Sequence, residues 1–491
     1  MNRRNFLQGS AALVSQAIAP ANAQPTPRMI GIQVGAVSFV DEGVEKVLDT
    51  FQHEASINTL FIATFTYGRG IAGRQVPGQP LPDHGAQQYD NGSGYGTFQG
   101  GSYTRVHPEY YKDTVLQDFR APDFGDYDVL EAALPSARKR GMKTICWFED
   151  VWNARVPNIR EAQERALDGS APGTLCFNNP NYRNWLLGTV EDYARSHPID
   201  GIMWGSERQG AFSNALGAGG SARDPFRVTC FCNFCEAKAR QRGIDAARAR
   251  QGFEALGNFV NAARQNRRPV DGYYVTLWRL MLRNPEMLAW EMLWTDSLRE
   301  TYAAMHARVK QINPEIGIGW HIWHNNSFNP IYRAEQDLTE LAKYSDFLKM
   351  VMYHNCGGER MANYIHNVGG DMFHDVPQQE LLDFHYRVLD YAHEKPLASL
   401  PQSGFSADYV YREARRAHDA LAGSKTQLWP GIDIDIPTAA TSSKSTPEGT
   451  RDAVLAAFRA GAHGVLLSRK YSEMRLANLR GAGEAVRQVL G

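Results

Sequence analysis

Asp200-Gly201-Ile202-Met203-Trp204-Gly205-Ser206-Glu207-Arg208 is a short apolar run that ends abruptly on a carboxylate. It follows Tyr182–Arg195, a helical pattern introduced by Asn179-Pro180, a capping residue followed by proline at the first helical position. A helix leading into an apolar strand with a polar C-terminal end is half of a βαβ unit, and the chain repeats it. Apolar runs lie at Ile30–Val40, Ile57–Tyr67, Met142–Trp152, Gly201–Glu207, Ile316–His324, Phe347–Tyr353, Gln427–Ile436 and Gly464–Leu467. Helical patterns alternate with them at Glu42–His53, Asp128–Arg140, Tyr182–Arg195, Leu298–Ile312, Ala334–Tyr344, Ala407–Leu421, Glu448–Ala460 and Arg475–Leu490. Strand then helix, eight times over, predicts an α/β fold of the (β/α)8 TIM-barrel type.

The surplus length lies after strands. Long insertions follow strand 2 (68–125, rich in Gly, Tyr and Asp) and strand 4 (208–296), and a shorter one follows strand 6 (354–402). Loops after barrel strands open on the C-terminal face, where ligands bind, so the insertions are expected to wall one mouth. The alternative for 208–296 is an independently folding inserted domain.

The composition narrows the class further. With 491 residues, 43% hydrophobic and 11% aromatic content, the chain can bury a large core, which excludes a disordered or collagen-like protein. Its 52 Lys+Arg against 53 Asp+Glu leave no basic surplus for binding nucleic acid through bulk electrostatics. Residues 1–23 read as a Tat signal peptide. Arg3-Arg4-Asn5-Phe6-Leu7 is followed by an uncharged stretch, Ala11–Pro20, and a small-x-small cleavage site, Ala21-Asn22-Ala23. A mature barrel of 24–491, exported to the periplasm or secreted, is the expectation. No later stretch is apolar enough for a membrane span.

Strand ends point at the ligand, so they hold the candidate chemistry. Glu207 is the foremost candidate: a glutamate ending an apolar strand should be desolvated, with a raised pKa suited to general acid work on a glycosidic oxygen. The competing reading is a rim ion pair of Glu207 with Arg208. In Trp429-Pro-Gly-Ile-Asp-Ile-Asp-Ile-Pro437, period two puts Ile432, Ile434 and Ile436 on one face and Asp433 and Asp435 on the other, inside the barrel. Asp435, nearer the mouth, is the expected nucleophile or base facing Glu207, with Asp433 in support; strands 4 and 7 face each other across an eight-stranded barrel. Other strand ends offer Trp147, Glu149, Asp150, Trp320, His321, His324, Tyr353, His354, Arg469 and Tyr471, aromatic and polar groups of the kind that bind sugars.

Cys230-Phe-Cys232-Asn-Phe-Cys235 is too tight for a comfortable disulfide among its own members, but three thiolates in this spacing can converge on one metal. Cys176, after strand 3, is the expected fourth ligand of a structural zinc; a disulfide from Cys176 to the triplet is the alternative. No organic cofactor is implied.

Glu207 followed by C-x-C-x-x-C, with Cys176 upstream, resembles the barrel and zinc cluster of family 42 β-galactosidases, within the large clan of retaining barrel glycoside hydrolases. Asp200–Gly210, Cys230–Asp245 and Gly461–Met474 also resemble hypothetical glycosyl hydrolases. The resemblance implies a glycosidase acting on an oligo- or polysaccharide or glycoside, with Glu207 as acid/base and Cys176, Cys230, Cys232 and Cys235 as zinc ligands. The clan has Asn where this chain has Ser206, and a Glu nucleophile where it has Asp433 and Asp435. A noncatalytic carbohydrate-binding barrel and a metal-dependent hydrolase using His321, His324 and Asp435 are the competing classes.

Overall fold

A computed structural model describes residues 28–67, 82–86, 99–150, 155–218 and 224–491. The signal-peptide reading of 1–23 and much of the loop 68–125 lie outside them. Among the described residues nine strands occur in chain order: β1 (Met29–Gly35), β2 (Thr59–Tyr67), β3 (Gly100–Ser102), β4 (Lys143–Glu149), β5 (Gly201–Gly205), β6 (Gly317–Ile322), β7 (Phe347–Val351), β8 (Gln427–Asp433) and β9 (Gly464–Ser468). All except β3 pair in parallel with their neighbours, and pairing of β1 with both β2 and β9 closes the ring. The eight parallel strands are the eight expected runs, and the fold is a (β/α)8 barrel. The short β3, in the loop after β2, adds an antiparallel edge to β2.

Each strand is apolar on both faces over most of its length, because one face packs on the helical ring and the other fills the barrel. Cys146, Phe148, Ile202, Trp204, Ile318 and Trp320 join the large outer cluster, whereas Ile145, Trp147, Met203, Phe347, Trp429 and Leu466 form the interior one. Phe347 and Trp429 stack with centroids 4.0 Å apart. Gly319 makes room for them: a Cβ there would meet the Phe347 carbonyl oxygen at 2.2 Å and its ring at 2.4 Å.

Above this apolar floor the inward positions turn polar. Period two carries the inward face from Ile145 and Trp147 to Glu149, from Gly319 to His321, from Phe347 to Lys349, and from Trp429 to Asp433. The polar storey lies toward the C-terminal ends of the strands.

The helices match the expected pattern with three differences, the first being that the expected strand run Ile30–Val40 turns helical at Ala36–Glu42. Ala334–Tyr344 is broken into Pro330–Glu335, Leu338–Leu341 and a 3-10 turn Ala342–Tyr344, because Asp337 caps a new start through Thr339 and Glu340 N–H. The barrel helix expected at Leu298–Ile312 begins at Glu286, inside the segment 208–296. Buried residues of that segment, such as Phe253, Leu256 and Trp290, share one hydrophobic cluster with the barrel's outer face.

Candidate active site

Glu207 is set by its flanking residues. Ser206 Oγ and Arg208 Nε both donate to Asp150 Oδ2, at 2.6 and 2.7 Å, and Tyr182 OH donates to Asp150 Oδ1 at 2.6 Å. Asp150 therefore clamps the residues on either side of Glu207, and it also lines the same pocket as Glu207. Arg208 also reaches the Leu175 carbonyl oxygen at 2.9 Å and Glu164 at 3.3 Å, so its charge is spent on the wall and not on Glu207.

Glu207 instead accepts from His321 Nε2 at 2.9 Å. Gly205 makes this possible, since a Cβ there would lie 2.5 Å from the Cβ of His321. On its other side His321 Nδ1 lies 3.0 Å from Lys349 Nζ, which also reaches Tyr353 OH at 2.7 Å. His324, three residues beyond His321, turns elsewhere: its ring nitrogens meet Arg360 Nη1 at 3.1 Å and Tyr409 OH at 3.0 Å. The two histidines and Asp435 do not converge on a common point.

A pocket of about 300 Å³ opens beside this network. Glu149, Glu207, Gln209, His321, Trp294 and Trp323 are among its lining residues. Its volume is at the lower end of the range for small-molecule sites, about 300–1,000 Å³.

Glu149 and Glu207 come from neighbouring strands, with Glu149 in register with Gly205. Their environments push them apart. Burial, aided by the negative charge of Glu207, raises the Glu149 carboxyl to about 8. The Glu207 side chain is about half exposed to the pocket; desolvation by the surrounding wall opposes its ionisation, but the His321 hydrogen bond and the charges of His321, Arg360 and Lys349 outweigh it and hold this carboxyl at about 2. The raised pKa expected for Glu207 thus belongs to Glu149. Burial together with the charge of Lys349 holds His321 down at about 4, and burial lowers Lys349 to about 7.

Several expected site residues have other work. Asp435 follows the end of β8 in a left-handed turn, φ 56°, which breaks the alternation. It is 1% exposed, and its oxygens accept from the Arg475 backbone N–H and guanidinium and from Asn478 Nδ2 at 2.8–3.1 Å. It fastens the start of helix Leu476–Leu490, and the Glu207–Asp435 pairing is corrected accordingly. Trp320 faces outward, 4.3 Å from the Tyr302 ring, with its Nε1 donating to the Tyr344 carbonyl oxygen. Trp147 is 2% exposed in the interior apolar cluster. Tyr471 packs edge-on against Phe51 and stacks on His84. Asp433 is fully buried and accepts from Cys356 and Ile436 N–H. His354 is buried at the first turn of helix His354–Gly369, and Arg469 pairs with Glu473.

Lys349 is the network residue that inspection of strand ends misses. Its signal was a lone lysine within Phe347-Leu348-Lys349-Met350-Val351, on the inward face by alternation. Trp294, from the insertion, is likewise missed by inspection of strand ends, whereas Trp323, at the end of β6, is one of the strand-end aromatic groups; both line the pocket.

Cys176, Cys230, Cys232 and Cys235 converge behind one wall of the pocket, their Sγ atoms all within 4.8 Å of one another. Cys176 Sγ lies 3.5 Å from both Cys232 and Cys235 Sγ, far beyond the ~2.05 Å of a disulfide. Four thiolates about 2.3 Å from a tetrahedral zinc would stand about 3.8 Å apart, so the cage fits the ion. Asn178 Nδ2 donates to Cys235 Sγ at 3.3 Å, and Lys238 Nζ donates to Asn178 Oδ1 at 3.0 Å, an outer layer suited to a negatively charged cluster. Leu175, which receives the Arg208 bond, adjoins Cys176 and joins the cage to the Glu207 loop.

No protein-family model and no curated protein matches the chain. Among solved structures it is similar to the PgaB (BpsB) glycoside hydrolase domain of Bordetella bronchiseptica, at 13% identity and TM-score 0.49 over 95% of this chain and 99% of that one. It is also similar to a β-galactosidase from Halorubrum lacusprofundi, at 15% identity and TM-score 0.48 over 93% of this chain and 57% of that one. A third likeness is to α-L-fucosidase isoenzyme 2 of Paenibacillus thiaminolyticus, at 11% identity and TM-score 0.46 over 94% and 49%. The chain thus spans about half the length of the last two.

Proposed function

We propose that the protein is a glycoside hydrolase whose acid and carboxylate are Glu149 and Glu207. The carrying observation is that one pocket is lined by both, with Glu149 held protonated and Glu207 held ionised near neutral pH. Glycosidic cleavage requires that division, a proton for the departing oxygen and a negative charge for an oxocarbenium-like transition state. Glu149 donates the proton. Glu207, fixed by His321, supplies the charge, and Trp294 and Trp323 offer aromatic faces for sugar C–H groups.

The four-cysteine cage is assigned to a structural zinc. All four positions around the ion are filled by thiolates, so the metal would stiffen the wall that carries Arg208 and take no part in bond cleavage. The twin-arginine stretch at Arg3-Arg4 supports Tat export to the periplasm, which lets the thiols load before they meet oxidant. Among the described residues no helix is long and apolar enough to cross a membrane.

The reaction is tested with a panel of aryl glycosides and purified Glu149→Gln and Glu207→Gln variants. Glu207→Gln should lower turnover roughly 10²–10⁴-fold across the panel, and Glu149→Gln by as much on the members with poorly acidic leaving groups, while sugar binding persists. Turnover unchanged in both rejects the pair; sugar binding without turnover in the unmodified protein points to the noncatalytic barrel.

A further inference from the structure

Lys349 is fully buried in the middle of β7, at the centre of the barrel. No carboxylate lies within ion-pair distance of it among the described residues. An ammonium in such a place is unfavourable by several kcal/mol unless its protons are all accepted. Three neutral acceptors surround it: His321 Nδ1 at 3.0 Å, Tyr353 OH at 2.7 Å, and more distantly Gln33 Oε1 at 3.4 Å. Gln33 Oε1 in turn accepts from Ser468 Oγ at 2.7 Å. Gly431 leaves the slot open, as a Cβ there would meet Lys349 Cε at 2.6 Å. A buried lysine satisfied by neutral groups, one of which is the histidine holding a pocket carboxylate, asks for a function beyond packing.

The chemistry of His321 supplies one. Its Nε2 faces Glu207 Oε1, an acceptor, so Nε2 must carry a proton for the 2.9 Å contact to be a hydrogen bond. A neutral ring then has Nδ1 bare, and a bare Nδ1 needs a donor. We propose that Lys349 is a positioning residue, whose Nζ–H to Nδ1 bond fixes His321 in the tautomer that donates Nε2–H to Glu207. The relay runs across three successive strands, Lys349 on β7, His321 on β6 and Glu207 just beyond β5, and ends in the pocket. The proposal rests on the reading of Glu207 as the reacting carboxylate only for its effect on turnover.

The charged surroundings favour the neutral, oriented ring. The groups that act on His321 are Lys349 and Arg360, which oppose a second proton, and Glu207, which favours it; His324 lies close by and is itself held neutral by burial. Lys349 in turn feels Glu207 and Glu149 on one side and Arg360 and Arg469 on the other. Removing the Lys349 charge therefore both frees Nδ1 and makes protonation of the ring easier.

The test uses full-length protein labelled with ¹⁵N-histidine, with the His321 ring signals identified by their loss in His321→Gln. Unmodified protein should show Nε2 protonated and Nδ1 bare at about pH 7. In Lys349→Met the ring should lose that fixed tautomer and take up its second proton at higher pH, and kcat should fall about 10–100-fold with KM little changed, as when other groups that orient a functional histidine are removed. Tyr353→Phe, which leaves the Lys349–His321 bond in place, should keep the unmodified His321 ring signals. A proton on Nδ1 in unmodified protein overturns the proposal even if Lys349→Met does not fold; so do unchanged ring signals and titration in a folded Lys349→Met. The ring signals do not depend on turnover, so protein that shows them yet cleaves no glycoside rejects the proposed reaction and leaves the role of Lys349 standing.

Discussion

Glu149 and Glu207 line one pocket from neighbouring strands, and the ionised Glu207 helps to keep Glu149 protonated. The coupling has a direction that can be measured. Glu207→Gln removes a negative charge beside Glu149, so the Glu149 carboxyl should ionise at lower pH than in the unmodified protein, where it titrates at about 8. Infrared titration of the protonated carboxyl band, with Glu149→Gln as the blank, reads the shift. A Glu149 titration unmoved by Glu207→Gln contradicts the coupling.

Activity should follow the same groups. An acid must be protonated to act, so the protonated Glu149 needed for catalysis prevails below about 8 and is lost as pH rises through that value. Glu207 must be ionised, and at about 2 it remains so across the working range. The kcat/KM profile should therefore be flat through mildly acidic and neutral pH and fall on an alkaline limb near 8. Activity that is instead lost as pH rises from about 4 to 6 would assign the proton to a group other than this glutamate.

Asp435→Asn should lower stability and leave the chemistry in place. The substitution weakens bonds to Arg475 while keeping most of the shape, and loss of a buried charge-assisted bond is worth about 1–3 kcal/mol. Denaturant melts should show that loss, with activity per folded molecule within about twofold of the unmodified protein. A stable variant with abolished turnover would return Asp435 to the reaction.

Purified protein should contain about one zinc per chain, and its four clustered cysteines should resist alkylation until the metal is removed. Chelation under mild denaturation, or Cys232→Ser, should release the ion and lower the melting temperature. Because Arg208 ties the cage wall to the Glu207 loop, the remaining folded protein should bind substrate more weakly. Less than about half an equivalent of metal, with the triplet thiols disulfide-linked, contradicts the zinc assignment.

The eight strands were legible because each run is apolar over most of its length and is followed by an amphipathic helix. The cysteine cage was legible from the spacing of Cys230, Cys232 and Cys235 and, for Cys176, from loop order, since segments after adjacent strands are neighbours. The proposed pairing of Glu149 with Glu207 was not. Alternation predicted both aspartates of β8 to face inward, and it holds through Asp433, but the strand ends there and the left-handed turn at Asp435 swings its carboxylate to Arg475 and Asn478. Trp320 was readable as an outward residue once His321 faces inward, as period two requires. What composition could not reveal was the sign of the Glu207 shift. Local sequence shows an apolar strand and predicts desolvation, whereas the decisive partners, His321, Lys349 and Arg360, come from β6, β7 and the helix after β7.

The central claim, that Glu149 gives the proton to the leaving oxygen, is tested most directly by the dependence of rate on leaving group. Aryl glycosides whose phenols need little protonation should be cleaved by Glu149→Gln at nearly the unmodified rate. Substrates with poorly acidic leaving groups should be slowed roughly 10²–10⁴-fold. An equal loss of rate across the whole series, acidic and poorly acidic leaving groups alike, would contradict the assignment.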